Sequence, residues 1–144
     1  MSDDTPRHAV AAVPRHAVVT GASSGIGAAI VARRLREGWR VTGISRNAPA
    51  PSPPGYTHRA VDLLDGGAIA AALDGLHADA LVHAAGLMRA APLGALDAAA
   101  GEMLWRLHVE AAERLANALV PRMPDGGRVL LIGSRAAVGV AGRS

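Results

Sequence analysis

Residues 16–27 constrain the fold more tightly than any other stretch of the chain. His16-Ala17-Val18-Val19-Thr20 is an apolar run of strand length, and it passes without a linker into Thr20–Gly27, TGASSGIG. From about Gly25 to Glu37 the period changes. Ile26, Ala29, Ile30, Ala32 and Leu35 fall where a helix would bury them, and Gly38 stands where helices stop. A strand that turns directly into a helix needs backbone freedom at the turn and small residues at the contact. Gly21 permits the tight turn, Gly25 lets the backbone approach a pyrophosphate, and Gly27 lets helix and strand pack closely. The amide donors where this helix begins, from Ser23 and Ser24 to Ile26, then face the phosphates. Alone, a glycine pattern is weak evidence; in a strand–loop–helix setting it indicates a dinucleotide site.

The alternation of periods continues along the chain. Trp39–Ser45 reads as a second strand, Tyr56–Val61 as a third, Ala80–His83 as a fourth and Gly127–Gly133 as a fifth. Leu64–Leu76 is Ala-rich and helical. A longer helical region runs from about Leu96 to Val120, with Met103, Leu104, Leu107, Ala111, Leu115 and Leu119 at helical spacing and Pro121 and Pro124 ending it. Asn47–Gly55 (NAPAPSPPG) is neither helix nor central strand. Strands alternating with helices predict an α/β fold, a Rossmann-type doubly wound parallel sheet of about five strands. Residues 1–14 read as a disordered lead-in and residues 15–144 as one dinucleotide-binding domain.

Composition narrows the chemistry. All 15 basic residues are arginine, so there is no lysine, and Tyr56 is the lone tyrosine. A Walker A loop, a Schiff-base enzyme and a Tyr/Lys proton relay therefore cannot be completed by these residues alone. With no cysteine, disulfides, Cys-rich zinc sites and thiol nucleophiles are excluded together. His108-Val109-Glu110 matches the H-x-E start of zinc deaminases, but their P-C-x-x-C partner is missing and no H-E-x-x-H exists, so no metal is expected. The isoelectric point near 10.9 reflects arginine's pKa, because the net charge is only +3. Arg33, Arg34 and Arg36 share one helical stretch and read as a solvated face rather than a nucleic-acid patch. No run of about 18 apolar residues exists to span a membrane. The N-terminus carries early acids, Pro6 and Pro14 rather than a signal peptide's basic start and apolar run, and a cytoplasmic protein is expected.

The loop also satisfies G-x-S-x-G, which would make Ser23 a hydrolase nucleophile on a strand-to-helix elbow. Such an elbow normally follows several strands rather than the first, and it gives Gly27 no task. Asp62 and His83 or His108 could complete a triad, but no spacing selects them.

In its ordered motifs the chain resembles the classical short-chain dehydrogenase/reductase family. TGASSGIG fits that family's T-G-x-x-x-G-x-G rather than the shorter glycine spacing of epimerase-like relatives. Ile44-Ser45-Arg46 ends strand two, Asp62-Leu63 ends strand three, and His83-Ala84-Ala85-Gly86 occupies the N-N-A-G position. Trp105 to Met123 resembles the long interface helix, through which a homo-oligomer is implied, and Ile132-Gly133-Ser134 sits where the family has its catalytic serine. The acidic residue that bonds the ribose 2′-hydroxyl in NAD sites belongs about 20 positions past the glycines. Ser45 and Arg46 stand there instead. A guanidinium can grip a 2′-phosphate and stack on adenine, so NADP(H) is favoured over NAD(H). The resemblance implies that Asp62 accepts from the adenine amino group, with Leu63 beside it, and that the Ala84, Ala85 and Gly86 backbone lines the cofactor.

The same resemblance gives Ser134 the role of orienting a substrate carbonyl or hydroxyl, although a serine after a buried strand is by itself more often a turn or cap. The Asn position of the long helix falls at His108, where a histidine could offer similar hydrogen bonding. The family's Y-x-x-x-K would lie just past Ser144, and Tyr56 sits in the Pro-rich loop on the far side of the cofactor fold. The expectation is an N-terminal, cofactor-binding part, truncated before the Tyr and Lys and inactive alone. The complete protein would transfer hydride between NADP(H) and a small-molecule carbonyl or secondary alcohol. A naturally short NADP sensor or interaction protein is the other reading. Truncation would also leave strand five as an open edge and the long helix without its neighbour, which predicts association.

Overall fold

The computed structural model describes residues 13–49 and 52–135. Five strands, β1 (His16–Thr20), β2 (Arg40–Ser45), β3 (Tyr56–Ala60), β4 (Ala80–His83) and β5 (Arg128–Leu131), form one sheet in the order β3-β2-β1-β4-β5. Every pairing is parallel; Val18, for example, faces Thr42 on one side and Leu81 on the other. The expected doubly wound parallel sheet is the fold observed. The strand order reverses between β1 and β4, and such a switch point opens a crevice at the C-terminal ends of the strands.

Alternation along β1 separates the two faces of the core. Ala17 and Val19 pack with Val31, Val41, Tyr56 and Val82 beneath α1 (Gly25–Arg36). Val18 packs with Ile69, Leu73, Leu81, Leu115 and Leu119, which brings α2 (Gly66–Leu73) and α4 (Ala111–Leu119) onto the opposite face. Asp65 starts α2 by accepting the Gly67 and Ala68 amides at 2.9 and 3.0 Å. This cap trims the helix from the Leu64–Leu76 expected. Trp39 likewise leaves β2, its ring lying 4.8 Å from the Arg15 guanidinium and 4.9 Å from that of Arg34.

Three expectations need correction. The buried face of α1 is Gly27 and Val31, with Ile30 and Leu35 partly covered, while Ile26, Ala29 and Ala32 are exposed. The cause is Gly27: a Cβ there would stand 2.1 Å from the Gly21 carbonyl oxygen, so this face must turn inward. The long helix is also not uniform. After α3 (Ala98–Trp105) it widens into a π-helical turn, Arg106–Glu110, before α4, and a 3₁₀ turn, Val120–Arg122, follows. Finally, Tyr56 begins β3, as the strand reading of Tyr56–Val61 has it and its placement in the Pro-rich loop does not. It stands at that strand's first residue, away from the C-terminal crevice, with its ring buried against Gly43. Among the described residues its hydroxyl has no hydrogen-bond partner, and burial raises its pKa.

Among the described residues β5 is one edge of the sheet and β3 the other. All four residues of β5 are exposed, as are Trp105 and Val109 of the long-helix region.

Candidate functional site

The glycine loop opens the crevice. Gly21 and Gly25 both have positive φ, at 65° and 54°, a region that favours glycine. A Cβ on Gly21 would meet Ala85 at 2.8 Å, so the loop and the β4 turn touch backbone to backbone. Ser24 caps α1 in an extended conformation without a side-chain hydrogen bond. The first amides of α1 therefore point outward without helical acceptors, as an anion site requires.

A cleft of about 380 Å³ lies above these strand ends, within the size range of small-ligand sites. It gathers Gly21, Ser23 and Ser24 from the glycine loop, Ser45 and Arg46 after β2, Asp62 and Leu63 after β3, and Ala85 and Gly86 after β4. Nine of the sequence-derived cofactor residues thus converge from four segments. Gly25, Ile26, Gly27 and Ala84 do not line it: Gly27 is buried in helix–strand contact and Ile26 is exposed. Sequence reasoning gave no cofactor role to Ile44, Asn47, Val61, Leu64, Leu87, Arg89, Met103 and Leu107, which complete the lining.

Individual side chains divide between ligand and scaffold. The Ser45 hydroxyl donates to the Asn47 carbonyl at 2.8 Å and lies 3.1 Å from His58 Nε2, so it holds the turn that carries Arg46. Asp62 Oδ1 accepts the Leu64 amide at 3.0 Å, leaving the other carboxylate oxygen for a donor in the cleft.

His83 is the centre of a buried network. Its Nε2–H donates to the Leu107 carbonyl in the π turn at 3.1 Å, and its Nδ1 accepts from the Thr20 hydroxyl at 2.8 Å. Thr20 Oγ1 in turn accepts the Ala85 amide at 3.2 Å. Desolvation holds the His83 pKa below its usual value, with a further lowering from nearby His108, against a raising effect from the Leu107 bond. His108 lies within the π turn, where its Nε2 is 3.0 Å from the Leu87 carbonyl oxygen and 3.3 Å from the Leu87 amide nitrogen. A Cβ on Gly86 would meet the His108 ring at 2.5 Å. The two histidines therefore tie the long-helix bulge to the Ala85–Leu87 wall, in keeping with the frequent placement of π bulges at functional sites.

Ser134 is exposed beyond β5 and is not among the residues lining the cleft. Ser23 is exposed too, and the rings of His83 and His108 are directed to Thr20, Leu107 and Leu87 rather than to it. A Ser23 nucleophile has no histidine base among these contacts. Among the described residues there is no cluster of three metal-ligating side chains, and no helix is long and apolar enough to cross a membrane.

The model of the NAD dependent epimerase/dehydratase family matches residues 17–144. The chain belongs to that family. Several of its solved neighbours are short-chain dehydrogenase/reductases, so the resemblance to that family holds, while the matching family model is the epimerase one that the glycine spacing had set aside. A short-chain dehydrogenase/reductase from Serratia marcescens is 29% identical, with a TM-score of 0.77 over 88% of this chain and 61% of its own. A blue fluorescent protein from a metagenomic library, solved with NADPH, is 31% identical, with a TM-score of 0.77 over 90% of this chain and 59% of its own. A short chain dehydrogenase family protein from Francisella tularensis reaches a TM-score of 0.83 at 21% identity over 92% of this chain and 56% of its own, a likeness of fold. No curated protein matched. This family member thus spans 56–61% of the length of those three neighbours.

The cleft fits the family's pyridine dinucleotide. Ser23 and Ser24 border it at the start of α1, Arg46 adds a cation, and Asp62 keeps an acceptor oxygen. These are donors and acceptors of the right kind in one place.

Proposed function

We propose that this chain binds NADP(H) in preference to NAD(H), and that the complete protein transfers hydride between that cofactor and a small-molecule carbonyl or secondary alcohol. The carrying observation is Arg46: an arginine lines the cleft after β2, at the position where an NAD site places a carboxylate. The neighbour solved with NADPH supports the same choice. In this reading the α1 amides hold the pyrophosphate, Arg46 the 2′-phosphate and Asp62 the adenine amino group, while Ala84, Ala85 and Gly86 line the cofactor.

The bound nicotinamide would supply the hydride. Ser134 would orient the substrate oxygen, and His108 would support the cofactor wall at the family's Asn position. The proton-transferring Tyr and Lys are not among these 144 residues, so the chain alone is expected to bind without turnover. Self-association through residues 96–120 and a cytoplasmic location complete the proposal.

Titration of the chain with NADPH and NADH tests it. NADPH should bind more tightly, and Arg46→Ala should weaken NADPH by about tenfold or more, the worth of a charge-assisted bond. Equal affinities, or no loss in the variant, would remove the assignment.

A further inference from the structure

The proposed function leaves a second guanidinium in the cleft unused. Arg89 lines the same space as Arg46. Arg46 follows β2 and Arg89 follows β4, and these strands flank β1 on either side. The two residues therefore border the cleft from either side of β1.

Both are electrostatically available. Arg33 and Arg34 share an ion pair with Glu37, and Arg106 and Arg114 with Glu110, each on its own helical stretch. Among the described residues no carboxylate lies within ion-pair distance of Arg46 or Arg89. Arg89 Nη1 donates only to the adjacent Met88 carbonyl, at 3.2 Å. A bond to a neighbouring backbone oxygen in an exposed loop is easily exchanged for a phosphate.

Charge compensation also has few other sources. Thr20–Gly27 contains no cation, and Asp62 adds a negative charge to the lining. The pyrophosphate can use the α1 amides, but a 2′-phosphate beyond them has no such backbone cradle and depends on side chains.

We infer that Arg89 is a second 2′-phosphate contact, so that the phosphate is held between the guanidiniums of Arg46 and Arg89. Arg89 is then a specificity-determining binding residue from the β4 side. The inference rests on the NADP(H) reading of the cleft.

The test is ligand binding by the 144-residue chain, followed by fluorescence or calorimetry, with NADPH, NADH, 2′,5′-ADP and 5′-AMP as probes. Arg89→Ala should weaken NADPH and 2′,5′-ADP about tenfold while leaving NADH and 5′-AMP within about twofold, and Arg89→Lys should restore part of the loss. The loss should shrink at high ionic strength. A variant that binds all four probes like the wild type overturns the inference. So does an equal loss for NADPH and NADH, which would place Arg89 on the pyrophosphate. In either case, a wild-type preference for NADPH that Arg46→Ala abolishes leaves the underlying reading standing. A wild type that does not discriminate NADPH from NADH overturns both.

Discussion

β1 and β5 are built from similar apolar runs and have opposite fates. Ala17, Val18 and Val19 are fully buried, whereas Leu131 is 62% exposed. β1 pairs on both edges and is covered on both faces; β5 pairs only with β4. Apolar content decides that a segment can form a buried strand, but its neighbours decide whether it is one. The glycine-loop region is therefore over-determined, and the β5 side is open.

The strongest way to break this contrast is to place a methyl or larger group in each region. Gly27→Val sets side-chain atoms against the Gly21 carbonyl, with a Cβ separation of 2.1 Å, and should cost about 3 kcal/mol or more. Gly133→Ala meets nothing within 4 Å and should stay within about 0.5 kcal/mol. Urea denaturation of the two variants compares them directly, and similar losses would erase the distinction.

The next effect concerns the open side. An exposed edge and exposed Leu131, Ile132 and Trp105 favour association of the 144-residue chain. Size exclusion should show oligomers, and Leu131→Lys should shift them toward monomer without lowering the urea midpoint appreciably. A monomeric wild-type chain would show that the edge is protected.

A smaller effect sharpens the closed side. Burial keeps His83 and His16 neutral by lowering their pKa values. Below the usual value of 6.5 the unfolded chain binds protons that the folded chain resists. Stability should therefore be full above pH 6.5 and decline as pH falls below it, by at most about 1.4 kcal/mol per pH unit for each histidine. Urea midpoints at pH 7.5 and 5.5 measure this. His83→Asn should remove its part of the slope and leave that of His16.

The smallest effect lies under α1. Tyr56→Phe removes a buried hydroxyl that has no hydrogen-bond partner among the described residues, so stability should be unchanged or rise by up to about 1 kcal/mol. A clear loss in thermal midpoint would reveal a hydroxyl partner.

By itself the sequence determined the order of elements and the dinucleotide loop, because strand and helix periods and the tasks of Gly21 and Gly27 are local. It also placed Arg46, Asp62 and Ala85 together at one cleft, since each follows a strand and parallel strands end on one side. The absence of lysine limited the chemistry these residues can complete. Only the tertiary structure decided which face of α1 is buried, because helix–strand contact at Gly27 overrides the pattern of larger side chains. It likewise brought Arg89 and Arg46 into the lining of one cleft and joined His83 to Leu107, pairs separated by whole elements that local periodicity cannot connect. The difference between β1 and β5 has the same origin: hydrophobicity belongs to the segment, whereas burial belongs to its place in the sheet.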